Sequence, residues 1–253
     1  AAAAHDVDQS FGGKFMHQTA RHLGRLVKAG IAHGVGQASV GVAADEGVGR
    51  GLGQLLDVGA HQRRAQGAVQ AHGQRLQQAR QLFFAQGTPP EGLLDPLIIR
   101  SWERCRRFGL GENSTSPGLQ PMDRRALKTE QERNRYLLTH SRPIMEHVFE
   151  QIRDSGSMVI LADANGLLLE TVGDADFVGR ADRVALSAGA SWDENLRGTN
   201  AIGTALREET PLAVLGSEHF LEYNGFLTCC ASPIFGPDGR LIGVLDISGD
   251  YRS

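Results

Sequence analysis

The chain has 253 residues, 41% hydrophobic and 22% charged, with a formal net charge of -3 at pH 7. That length fits one or two domains whose cores need no metal or disulfide staples, and the slight acidity offers no field for neutralising phosphates, so no direct nucleic-acid contact is expected. No apolar run approaches the roughly 20 residues of a bilayer span, the start AAAAHDVDQS lacks the blocks of a signal peptide, and the three cysteines follow no framework spacing. No membrane association and a cytoplasmic location are therefore expected.

Residues 1–88 contain no Pro, Cys, Trp, Tyr or Asn, whereas all nine prolines, both tryptophans and all three tyrosines follow. Glycines interrupt every helical period in this Gly/Ala/Gln-rich extension, so it is expected to be disordered or non-native sequence. The stretch from Val58 to Leu82 reads as an isolated, mostly polar helix. GVGRGLG at 47–53 lacks the spacing of a phosphate loop. His5, His17, His22, His33, His61 and His72 lack the spacing of a metal site.

From residue 89 the local signals agree with one another. Residues 89–142 read as a helical pre-sensor segment. Leu93 to Phe108 is its first helix, with Leu94, Ile98, Trp102 and Cys105 on one face. Arg100, Arg104, Arg106 and Arg107 give that helix a basic, solvated or dimer-facing end. Asp123 caps a second helix carrying Leu127, Leu137 and Leu138. Pro143 opens a third, in which Ile144, Val148 and Ile152 recur every four residues, and Ser155-Gly156 stops it.

MVILAD and LLLETV, joined by Asp163-Ala164-Asn165-Gly166, predict a β-hairpin. A looped and helical middle spans 174–208. PLAVLG, LTCCASPIF and LIGVLDIS then predict three strands, the last two joined by Gly236-Pro237-Asp238-Gly239. This order gives an α+β domain over 143–253 with an antiparallel sheet and flanking helices.

SWERCRRFGL (101–110), SMVILADANGLLLETVGD (157–174), GASWDENLRGTNAIGTAL (189–206), EHF (218–220) and LTCCASPIFGPDGRLIGVLDISG (227–249) carry a resemblance in order and spacing. The segment resembles the GAF sensor domain of the acetoin-catabolism-regulator group of sigma-54-dependent transcriptional activators. The resemblance implies a signal-sensing fragment that controls a downstream AAA+ ATPase and a helix-turn-helix DNA-binding domain. It also implies a closing GAF helix after the strand ending at Ser248, which this fragment is expected to lack. The expectation is thus a regulator fragment that forms a homodimer, with a small-molecule effector as partner.

The candidate ligand-binding residues are Trp192, Glu194, Thr199, Asn200, Thr204, His219 and Cys229. Thr199 reads as the N-cap of a helix Asn200–Leu206, leaving N–H donors and a positive dipole end beside Asn200. Gly198 and Gly203 permit close approach. Trp192 offers a wall and Glu194 an acceptor. The same residues also read as a capped helix packed on the sheet, with Glu194 tying down its own loop. Cys229 and Cys230 point to opposite faces of a strand and cannot readily bridge. No catalytic residue, cofactor or metal is expected. The alternatives are a cysteine-dependent GAF enzyme of the methionine sulfoxide reductase type and a ligand-free dimerisation module.

Overall fold

A computed structural model describes residues 73–87, 92–114 and 120–251. The GVGRGLG segment, the six scattered histidines and the start of the Val58–Leu82 helix lie outside the described residues. Helix α1 covers 73–86. It is followed by α2 (Pro96–Arg107), α3 (Arg124–Arg133) and α4 (Arg135–Ile152). Asp95 caps α2 by accepting from the Leu97 N–H at 2.7 Å, and Pro96 fills the first turn, where a missing N–H costs nothing. Asp123 caps α3 through the N–H groups of Arg125 and Ala126, as its position suggested.

Two boundaries differ from the sequence reading. The first is at residue 88: α1 is neither isolated nor without a core, since Leu76, Ala79 and Phe83 are buried. The Phe83 ring lies 5.0 Å from that of Trp102 and 6.5 Å from that of Phe220. Three apolar anchors among Gln and Arg are few, but they meet an aromatic cluster supplied from far along the chain. The second is at Pro143, which lies inside α4 rather than at its start. The helical break comes at Asn134. Packing of Leu137, Leu138, Ser141 and Met145 outweighs the interior proline, whose cost is roughly 3 kcal/mol.

Strands β1 (Ser157–Asp163) and β2 (Leu168–Gly173) form the first hairpin. The Asp163 carboxylate closes its turn by accepting from the Asn165 and Leu167 N–H groups. Helices α5 (Ala175–Ala181), α6 (Glu194–Arg197) and α7 (Ala201–Glu208) occupy the middle, and β3 (Leu212–Leu215), β4 (Leu227–Phe235) and β5 (Leu241–Asp250) complete the sheet. The strand order is β2-β1-β5-β4-β3, with every pairing antiparallel.

Strand alternation sorts the core into two layers. Val159, Leu161, Cys230, Leu245 and Ile247 pack under α4. Met158, Ile160, Cys229, Ala231 and Val244 face α1, α2, α7 and the 184–192 loop. The fold is α+β, with helices on both faces of one antiparallel sheet.

Candidate functional site

Between β4, β5 and the start of α7 lies a narrow void, closely packed and too small for a water molecule. Leu186, Trp192, Ala201 and Ile202 form its apolar walls, and Asn200 sits at its edge. Cys229, Asp246 and Ser248 form its floor. Strand register makes that floor: Cys229 pairs with Ser248 and Ala231 with Asp246, so Cys229, Asp246 and Ser248 share one face.

Asp246 is wholly buried. Its Oδ2 lies 2.6 Å from the Ser248 hydroxyl, while its Oδ1 has no partner. Burial pushes its pKa up to about 7. The Ser248 hydroxyl also lies 3.1 Å from Cys229 Sγ, and that sulfur lies 3.5 Å from His219 Nε2. His219 Nδ1 is 3.0 Å from the Gly216 carbonyl. A carbonyl only accepts, so Nδ1 carries the proton and Nε2 faces the thiol as an acceptor. Burial pulls the His219 pKa down to about 4, keeping the ring neutral, and pushes that of the Cys229 thiol well above its ordinary value.

A buried polar latch ties α6 and α7 to α2. Glu194 is wholly buried. It accepts from Ser101, from Thr204 at 3.0 Å, and from Arg104 at 2.7 and 3.0 Å. Thr199 Oγ1 lies 2.6 Å from Ser101 Oγ. Arg104 and Arg100 both reach Glu208 at the end of α7. The hydrogen bond to Glu194 holds the Arg104 pKa above its ordinary value, against the opposing effect of burial. Burial pushes Glu208 upward, but hydrogen bonds from Arg100 and Arg104 hold it below the usual carboxylate range.

A third junction grips the segment bearing His219. Trp102 Nε1 donates to the Glu218 carbonyl at 2.7 Å. Arg80 of α1 donates to the His219 and Phe220 carbonyls at 2.6 and 2.8 Å. Helices α1 and α2 thus hold both the segment that covers Cys229 and the helix that walls the void.

The seven candidate residues therefore divide. Trp192, Asn200 and Cys229 line the void, and His219 adjoins it through Cys229. Glu194, Thr199 and Thr204 belong to the latch, facing α2. The cap of α7 is Asn200 rather than Thr199: its Oδ1 accepts from the Gly203 N–H at 2.8 Å. Its Nδ2 donates to the Trp192 and Gly198 carbonyls. Thr199 is drawn away because its hydroxyl finds Ser101. Gly203 serves packing, since a Cβ there would stand 2.6 Å from the Glu194 nitrogen.

Asp246, Ser248, Ser101 and Arg80 were missed as site residues by the sequence reading, and Arg104, read as part of a solvated or dimer-facing helix end, pairs instead with Glu194 and Glu208. Asp246 had a signal, because alternation places it in phase with Val244 on a buried face, where an acid is rare. Among the described residues, no three or more His, Cys, Asp or Glu side chains converge as a metal site, and no helix is long and apolar enough to cross a membrane.

Residues 73–253 match the family described as MimR, N-terminal domain. The chain belongs to that family. The MimR match begins within the first residues of α1, so the family unit includes the helix that the composition seam would have cut away.

The acetoin dehydrogenase operon transcriptional activator AcoR of Bacillus subtilis is 33% identical over 166 residues, covering 66% of this chain and 27% of the relative. The propane 2-monooxygenase operon transcriptional activator MimR of Mycolicibacterium goodii is 31% identical over 175 residues, covering 68% and 28%. The chain thus spans about a quarter of the length of these two regulators. The fold is similar to that in the crystal structure of the E. coli DhaR(N)-DhaL complex, with a TM-score of 0.58 at 22% identity, covering 62% of this chain and 53% of that one.

Proposed function

We propose that this chain is the signal-sensing part of a transcriptional activator of the MimR type, and that it binds a small organic effector in the void beneath α7. One observation carries the reading: a fully buried carboxylate oxygen of Asp246, without a partner, faces a space walled by apolar side chains. An unmatched buried acceptor costs roughly 1–3 kcal/mol, a cost a ligand donor removes. The relatives' names point to operons concerned with acetoin and propane, and an effector of that size would enter the void only as α7 moves away from the sheet.

The same helix suggests the output. Asn200, Ala201 and Ile202 line the void, while Thr204 and Glu208 of α7 belong to the latch with α2. A ligand that shifts α7 changes the latch, and through α2 the rest of the regulator, where an ATPase and a DNA-binding domain are proposed to act. A non-enzymatic role is supported by the thiols: Cys105, Cys229 and Cys230 are all buried. Burial raises the pKa of Cys105 and of Cys230 to about 12, which suppresses the thiolate that cysteine chemistry needs.

Calorimetric titration with small alcohols, ketones, amines and carboxylates tests the reading. The wild-type chain should bind a member of this set, and Ala201→Leu, which adds bulk to the lining, should bind it at least tenfold more weakly while still melting cooperatively. Equal binding by a folded Ala201→Leu protein would place the effector elsewhere.

A further inference from the structure

We propose that α1 is a strap that keeps the void closed, with Arg80 as its bolt: the start of α7 lifts from the sheet only when Arg80 lets go of the segment bearing His219 and Phe220. This deepens the pocket reading above, on which it rests, by naming what admits an effector. The void has no space for a water molecule, so anything that reaches Asp246 needs part of the wall to move.

The wall is tied down through a chain of contacts that begins at α1. Leu76, Ala79, Arg80 and Phe83 are buried and share one face of that helix, at the i, i+3, i+4, i+7 spacing. That face meets Phe220 and its neighbours. Arg80 donates to two successive carbonyls, that of His219 at 2.6 Å and that of Phe220 at 2.8 Å. The rings of Phe83 and Phe84 lie 6.5 and 5.1 Å from that of Phe220.

Phe220 in turn bears on the turn between α6 and α7. Its N–H donates to the Thr199 carbonyl at 3.2 Å, and a Cβ on Gly198 would stand 2.6 Å from the Phe220 Cβ. His219 lies over Cys229, with Nε2 3.5 Å from Sγ. The turn that starts α7 is thus pressed under Phe220, and Phe220 under α1.

The segment held in this way has weak ties of its own. Residues 216–225 join β3 to β4 outside the strand pairing. The His219, Asn224 and Gly225 N–H groups close short-range turns within the segment, on Gly216, Leu221 and Glu222. Asn224 is wholly buried, yet neither polar atom of its amide has a partner. Exposure to water relieves that cost, so the segment is loaded toward opening and is held shut by side chains from α1 and α2.

The test needs no effector: it follows native-state amide exchange and the slow labelling of thiols by iodoacetamide in the full chain. In Arg80→Ala the Phe220 and Thr204 N–H groups should exchange, and Cys229 should label, at least about tenfold faster than in the wild type. The N–H groups of β1, and the Cys230 thiol on the other face of the sheet, should change by less than about twofold. Arg80→Lys keeps the charge but not the fork that spans two carbonyls. It should accelerate Phe220 and Cys229 at least about threefold, and it decides the matter should Arg80→Ala fail to fold. Acceleration of β1, Cys230 and Cys229 by one common factor would show Arg80 supporting the whole fold and overturn the strap. Faster exchange at Phe220 with Cys229 labelled no faster would overturn it too, because the segment would then open without reaching the void. Neither result touches the pocket reading, which stands or falls with Ala201→Leu.

Discussion

Removing Arg104 from the latch is the sharpest test of how the pre-sensor helices are held. Arg104→Ala takes two hydrogen bonds, at 2.7 and 3.0 Å, from the wholly buried Glu194, and a third from Glu208. Ser101 and Thr204 would still donate to Glu194, but its charge would lose its cation. Breaking a buried pair from one side costs roughly 3–5 kcal/mol. The Arg104 side chain is 20% exposed, so water reaches part of the pair, and about 2–4 kcal/mol is the better figure. At roughly 2–4 °C per kcal/mol for a chain of this size, the melting temperature should fall by about 5–15 °C. Glu194→Gln in the Arg104→Ala background removes the stranded charge, so the double variant should recover at least about 1 kcal/mol over Arg104→Ala. Thermal melts and urea titrations of the four proteins in this cycle measure both quantities. A loss under 1 kcal/mol for Arg104→Ala, or a double variant no more stable than the single, would refute the reasoning.

Phe83→Ala removes a fully buried ring from the Trp102 and Phe220 cluster and should cost roughly 3–5 kcal/mol in a urea titration; a neutral effect would return α1 to the status of an appendage. Asp246 and Glu218 both have pKa values raised by burial to about 7, so the folded state keeps protons that the unfolded chain releases well below that pH. Stability should therefore rise as pH falls from 7.5 to 6.5, and Asp246→Asn should shrink that rise in melts at the two pH values. Below pH 6.5 neutral His219, lowered to about 4, works the other way, because the unfolded imidazole takes up a proton that the folded one refuses. All three thiols should resist a small alkylating reagent in the native protein and react on unfolding; rapid native labelling of Cys229 would contradict its burial.

Much of the fold was legible because local and tertiary preferences agree. The two hairpins announce themselves through Asp163-Ala164-Asn165-Gly166 and Gly236-Pro237-Asp238-Gly239 between apolar runs, and Leu94, Ile98, Trp102 and Cys105 are all buried as their spacing required. What failed was long-range. Nothing near Phe83 says that Trp102 and Phe220 will meet it, and a proline inside α4 is tolerated only because the sheet lies beneath that helix.

The site was half legible for the same reason. The segment Trp192 to Thr204 was found, but its polar side chains divide between the void and the latch to α2, and composition cannot say which. Glu194, Thr199 and Thr204 turn toward α2 because Ser101 and Arg104 stand there, about 90 residues earlier in the chain. Asp246 was hidden inside a strand that otherwise reads as core.

The central claim, that the void beneath α7 is the effector site, is tested most directly by the two indole N–H resonances. Trp192 lines the void and donates to the Ala185 carbonyl at 2.9 Å, whereas Trp102 donates to the Glu218 carbonyl from the α2 side. During titration with the small alcohols, ketones, amines and carboxylates, a bound member should shift Trp192 saturably and leave Trp102 with the smaller change. Saturable binding that moves Trp102 and leaves Trp192 in place would contradict the account.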